Sequence, residues 1–235
     1  MRRSSLTGLE RIIRKMDKEL ADKESVRELT IPLSRETIRT CAEAIRNLRS
    51  GGPDDGLMQK ARTTAARMKK VTARHPELYH SGVVQNALQE LAEAFILAAI
   101  VRCERLPSPG DFDCTPGAYL MGMGDAIGEL RRICQDALRS GDFKEAEEAL
   151  VLMEGLFSAL VLFDYPDAIV PLKHKQDVAR GLIEKTRGEV AVSVRGKELE
   201  EKIAALEKVL AGHGDGAGKG AQSGKRKKAS RRGRR

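Results

Sequence analysis

The chain of 235 residues has no tryptophan, three tyrosines and five phenylalanines, so aromatic residues make up 3% of it. That scarcity removes the stacking platforms on which RRM- and OB-type readers lay successive bases. Cysteine is sparse as well. Cys41, Cys103, Cys114 and Cys134 lie far apart with no C-x-x-C pair and read as reduced core residues of an intracellular protein. No window approaches 18 uncharged apolar residues, and the opening MRRSSLTGLERIIRKMDKEL lacks the continuous apolar segment of a signal peptide. The expectation is a soluble protein with no membrane partner, cytoplasmic, or nuclear if the cell has a nucleus. A G-x-x-x-x-G-K-[ST] phosphate loop, an H-E-x-x-H zinc helix and a G-x-S-x-G nucleophile elbow are also missing. A ferritin-like di-iron centre needs two Glu-x-x-His motifs, and the chain supplies one, Glu77 to His80.

Alternating β-branched runs are absent, and helical periodicity dominates instead. It predicts helices near 5–24, 34–50, 56–75, 82–106, 116–139, 142–163, 167–187 and 195–211. SGGPDDG (50–56) and LPSPGDFDCTPG (106–117) are Gly/Pro loops, with Thr115 an N-cap and Pro116 the first helical residue. Short links between long amphipathic helices predict antiparallel neighbours in an all-α bundle. At this length one sizeable core is expected, a single α-helical domain over 1–212.

The formal charge of +8 is unevenly placed. Residues 214–235 carry nine Lys/Arg against one Asp, and the rest of the chain carries 33 of each sign. The segment 213–235 has no large apolar residue and cannot build a core, so it reads as a disordered basic tail. Such a tail suits nucleic acid, an anionic membrane or an acidic partner, or simply adds solubility. Within the body, Ile38, Cys41, Ile45 and Leu48 make the core side of the 34–50 helix, and Arg35, Arg39, Arg46 and Arg49 line up on another. This basic stripe is either a solvated face paired with local acids such as Glu36 and Glu43, or a nucleic-acid-binding surface.

LQELAEAFILAAIV (88–101) sets Glu90 and Glu93 in an otherwise apolar run. At roughly 100° per residue, Leu88, Ala92, Phe95 and Ala99 form one face. Leu97, Ile100 and Val101 share the side that carries the glutamates. A helix apolar on both faces is buried, and a carboxylate on it requires a cation or a hydrogen-bond network. The next helix repeats the theme. In YLMGMGDAIGELRRICQDAL, Leu120, Met123, Ile127, Leu130, Cys134 and Leu138 form the core face, while Asp125 and Glu129 sit on the reverse with Gly122 and Gly128 nearby. Glycine inside a helix costs about 1 kcal/mol relative to alanine, so these glycines predict close approach of another backbone or a ligand. If the two helices pack antiparallel, four acids converge. Such clusters hold Mg²⁺ and support phosphodiester hydrolysis. The competing account pairs the acids with Arg131, Arg132 or Arg102.

Taken in order, SRETIRTCAEAIRNLRSG, ALQELAEAFILAAI, PGAYLMGMGDAIGELRR and FDYPDAIVPLKHKQDVARGLIEKTRGEV resemble the translin family, specifically its TRAX (translin-associated factor X) branch in archaeal-like form. The resemblance covers most of residues 20–196. It implies an all-α fold of about seven helices, a closed hollow oligomer, and binding of single-stranded RNA or DNA. It also implies Mg²⁺-dependent endoribonuclease activity, with Glu90, Glu93, Asp125 and Glu129 as the catalytic and metal-holding acids. The loop between the two acidic helices is shorter than in eukaryotic TRAX proteins, which implies a homo-oligomer. Arg35, Arg39 and Arg46 are the candidates for gripping the nucleic-acid backbone. The alternative is a non-catalytic nucleic-acid-binding oligomer similar to translin itself.

Overall fold

The structure, a computed structural model, describes residues 8–217. Among these residues are seven α-helices and no strand: α1 (Leu9–Arg49), α2 (Asp55–Val71), α3 (Pro76–Tyr79), α4 (Gly82–Val101), α5 (Pro116–Ser140), α6 (Phe143–Leu160) and α7 (Lys173–Ala217). The all-α expectation holds. The chain forms two compact units that divide between Arg187 and Gly188, inside α7. In the second unit α7 runs on to Ala217, into the segment expected as tail, and presents Leu199, Ile203, Leu206 and Leu210 as exposed side chains. The remaining tail, 218–235, lies outside the described residues.

The helix breaks expected at 25–33 and at 188–194 are absent, since α1 and α7 each run through. Pro32, inside the first of these, lacks an N–H and opposes helix continuation, yet α1 passes through it. Pro32 and Glu28, the residue whose carbonyl loses its partner, both lie on the exposed side of α1, which leaves that oxygen within reach of solvent. Val26, Thr30, Leu33 and Ser34 are buried on the other side, and Ser34 donates to the Val83 carbonyl at 2.7 Å. Tertiary burial therefore outweighs the local penalty.

α4 is the central helix. Leu88, Leu91, Ile96 and Leu97 are at most 1% exposed, each worth about 1.5–3 kcal/mol on burial. By length and composition α4 could cross a membrane, but here it is packed inside the first unit against α1, α2 and α5. The helix that carries Asp125 buries Met123, Ile127, Leu130 and Cys134 as expected, whereas Leu120 and Leu138 are half-buried. Cys41, Cys114 and Cys134 are buried free thiols; Cys103, expected in the core, is exposed at the end of α4.

The packing direction of the two acidic helices differs from expectation. Sequence neighbours α1/α2, α5/α6 and α6/α7 are antiparallel, as Glu36–Lys60, Cys134–Ala146 and Gln176–Leu160 contacts show. α4 and α5 instead run parallel: Gln85 meets Thr115 near their starts, Gln89 meets Asp125 further on, and Ile100 and Leu130 line one groove beyond that. The connection 102–115 makes this possible by returning along the outside of α4, a path of about 30 Å for a 20-residue helix. Phe112, 3% exposed, anchors it by stacking on Phe95 with ring centroids 4.8 Å apart. At its end Thr115 caps α5 by accepting from Ala118 N, with Pro116 at the first turn.

Candidate active site

The glycine pattern explains how the acids meet. A Cβ on Gly122 would stand 2.4 Å from the Gln89 carbonyl oxygen and 2.8 Å from Glu93 N, so the backbones of α4 and α5 touch there. From that contact, Glu90 and Glu93 of α4 and Asp125 and Glu129 of α5 all line one cavity of about 840 Å³. Parallel packing brings the pairs together as well as the expected antiparallel packing would, because each pair spans about one turn beside the Gly122 contact. Gly128 has open space where a Cβ would project and lines the cavity itself.

A cation reaches the acid cluster, at Asp125 and not at the α4 glutamates, from an element that pattern reading did not single out. Lys175 of α7 donates to Asp125 Oδ1, and Gln89 donates to Asp125 Oδ2 at 2.6 Å. A Cβ on Gly124 would lie 3.3 Å from Lys175 Cβ, so this glycine lets α7 come close enough to deliver the ammonium. Glu129 faces Arg132 at 3.3 Å and Arg49 at 3.8 Å, and its Oε2 is buried without a hydrogen bond. Arg49 also donates to Asp136 at 3.0 Å.

Ordinary ion pairing thus accounts for part of the cluster only. Of the arginines expected to neutralise the acids, Arg132 does so for Glu129, Arg131 donates to the Leu182 carbonyl and to Thr186, and Arg102 pairs with Asp54 at 2.7 Å. Glu93 is 8% exposed, and among the described residues neither it nor Glu90 has a hydrogen bond or ion pair. Burial first, then the Asp125, Glu90 and Glu129 charges, push the Glu93 carboxyl up to about 8, with Lys175 opposing. Glu90 is raised for the same leading reasons. Burial first, and then these two glutamates, also raise the thiol of Cys41 on α1.

A hard divalent cation suits this donor set, which offers carboxylate oxygens only and includes a buried carboxylate with no resident cation. Among the described residues no three acidic groups already converge on a single coordination point; Asp125 is turned to Lys175 and Gln89. Arg35, Arg39 and Arg46 are exposed on α1 and stand outside the cavity lining, while Arg49, one turn beyond Arg46 on the same stripe, reaches into it. The stripe therefore leads to the cavity mouth.

The translin family model matches residues 74–196, which span α4, α5, α6 and the Lys175 segment of α7. The chain belongs to the translin family. An uncharacterized protein of Methanocaldococcus jannaschii is 34% identical over 187 residues, 78% of this chain and 83% of that protein. Among solved structures, AfC3PO matches with a TM-score of 0.71 at 32% identity, over 78% of this chain and 97% of that one. AfC3PO in a complex with duplex RNA matches at 0.65 and 30%, with the same coverage. Apo-NeC3PO, at 0.62 and 22% identity over 79% and 96%, shares the translin fold.

Proposed function

We propose that this translin-family chain is a Mg²⁺-dependent endoribonuclease that cuts single-stranded RNA inside a closed homo-oligomer in the cytoplasm. The observation that carries the reading is the meeting of Glu90, Glu93, Asp125 and Glu129 at one cavity, with Glu93 buried and lacking a cation. Family membership and the likeness to AfC3PO, which was solved with duplex RNA, support the RNA part.

Glu90, Glu93, Asp125 and Glu129 would hold Mg²⁺, which when bound polarises a phosphoryl oxygen and lowers the pKa of an attacking water. Arg49, Arg132 and Lys175 at the cavity offset the negative charge of the acids and the incoming phosphate together. Arg35, Arg39 and Arg46 hold the RNA backbone along α1 as it approaches, and single-stranded DNA presents the same phosphates. One of the four carboxylates takes the proton of the attacking water.

The test is cleavage of a labelled single-stranded RNA with and without Mg²⁺, with the matching duplex alongside. Asp125→Asn and Glu129→Gln should each abolish cleavage while circular dichroism shows an unchanged fold. Full activity in both variants would remove these acids from catalysis. The absence of a ready-made three-acid coordination point favours one second reading, a non-catalytic nucleic-acid-binding oligomer. RNA binding without Mg²⁺-dependent cleavage would establish it.

A further inference from the structure

The four acids differ in how the chain itself compensates them. Asp125 has Lys175 and Gln89. Glu129 has Arg132 and Arg49. Glu90 and Glu93 have no ion pair or hydrogen bond among the described residues, and Glu93 is more than nine-tenths buried while lining the cavity. Buried charges are retained where they are paired. The acids left without compensation are therefore one i,i+3 pair on α4, whose two carboxylates, once ionised, a single divalent cation neutralises.

We infer that Lys175 is a resident cation that takes the place of a second metal ion, so that the four-acid cluster of each chain takes up one Mg²⁺, anchored by Glu90 and Glu93, instead of two. Acidic phosphodiesterase sites often place two ions about 3.5–4 Å apart, one for the attacking and one for the leaving oxygen. Here the Asp125 side of the site already carries a fixed positive charge. Its delivery is built into the backbone: Lys175 sits in the first turn of α7, and Gly124 removes the side chain that would hold α7 away. Lys175 is a positioning residue in this account. It holds Asp125 toward α7 and leaves the α4 glutamates free for the ion.

The inference rests on the metal-dependent reading above, and counting ions separates the two. Titrating the full-length protein with Mn²⁺ as the probe, by calorimetry and by loss of the free-ion paramagnetic resonance signal, should give one equivalent per chain. Lys175→Met keeps the length and removes the charge. It should bind a second equivalent, or the first at least tenfold more tightly, and its metal-free thermal midpoint should fall and be restored by Mn²⁺. Lys175→Arg should keep one equivalent. Two equivalents in the wild type would overturn the resident-cation role and leave the metal reading standing. No binding to the wild type would overturn both. Because the wild-type count decides by itself, the test survives poor folding of a variant.

Discussion

Glu93 is the residue on which burial, charge and function meet. Its ordinary value of 4.5 is raised to about 8 in the folded chain, chiefly by burial. Between those values the folded chain keeps a proton that the unfolded chain has released, so this group's contribution to stability is intact below about pH 4.5 and is lost as pH rises toward 8. Metal-free Glu93→Gln, which has no proton to lose, should therefore be more stable than wild type at pH 8, with the gap closing toward pH 5. Thermal midpoints across that range measure it. Mg²⁺ favours the charged carboxylate, so adding it at pH 8 should raise the wild-type midpoint and leave that of Glu93→Gln nearly unchanged. A pH-independent gap would show that Glu93 ionises as an ordinary surface acid.

At the scale of elements, the site depends on how closely three helices approach one another. Gly122 sets the α4/α5 spacing, and the neighbours of an added methyl include backbone atoms, which have little room to move. Gly122→Ala should destabilise by about 1–3 kcal/mol, the usual range for overpacking, and should lower cleavage by spreading the acid pairs. Gly128→Ala meets open space, so helix propensity alone should apply and give a gain of about 1 kcal/mol. Denaturant midpoints of the two variants should move in opposite directions. Equal shifts would show that backbone contact at Gly122 does not govern the packing. The same close packing explains why the glycine-rich sequence of α5 is helical despite its propensity: tertiary contact at Gly122 and Gly124 supplies what the local chain does not.

For the whole molecule, the acids and cations sharing one cavity raise the question of how RNA reaches them. The proposed answer is a closed homo-oligomer whose interior gathers the α1 stripes of several copies. Light scattering at micromolar concentration should report a multimer, and cleavage should favour single strands over duplex. A monomer that cuts both equally would defeat the enclosed arrangement without touching the role of the acids. The tail is a separate contributor. Nine Lys/Arg beyond residue 213 should add phosphate contacts and counterion release. Deleting 214–235 should weaken RNA binding and flatten its dependence on salt, with turnover at saturating RNA retained. An unchanged salt slope would assign the tail to another partner.

The helical class, the core stripe of α4 and the four acids were legible in the amino-acid order, because periodicity reports burial and a carboxylate in an apolar run demands compensation. So was the need for a cation, though not its source. Lys175 is one of 33 cationic residues in the body of the chain, and only the approach of α7 over Gly124 selects it. The continuity of α1 through Pro32 and the parallel course of α4 and α5 were likewise decided in three dimensions. A proline's cost depends on whether its freed carbonyl meets water, and a helix direction depends on where a loop's aromatic anchor finds a partner. Neither is a property of neighbouring residues in the chain. Local pattern determines which side chains must be buried or compensated; the packed structure decides which distant group does it.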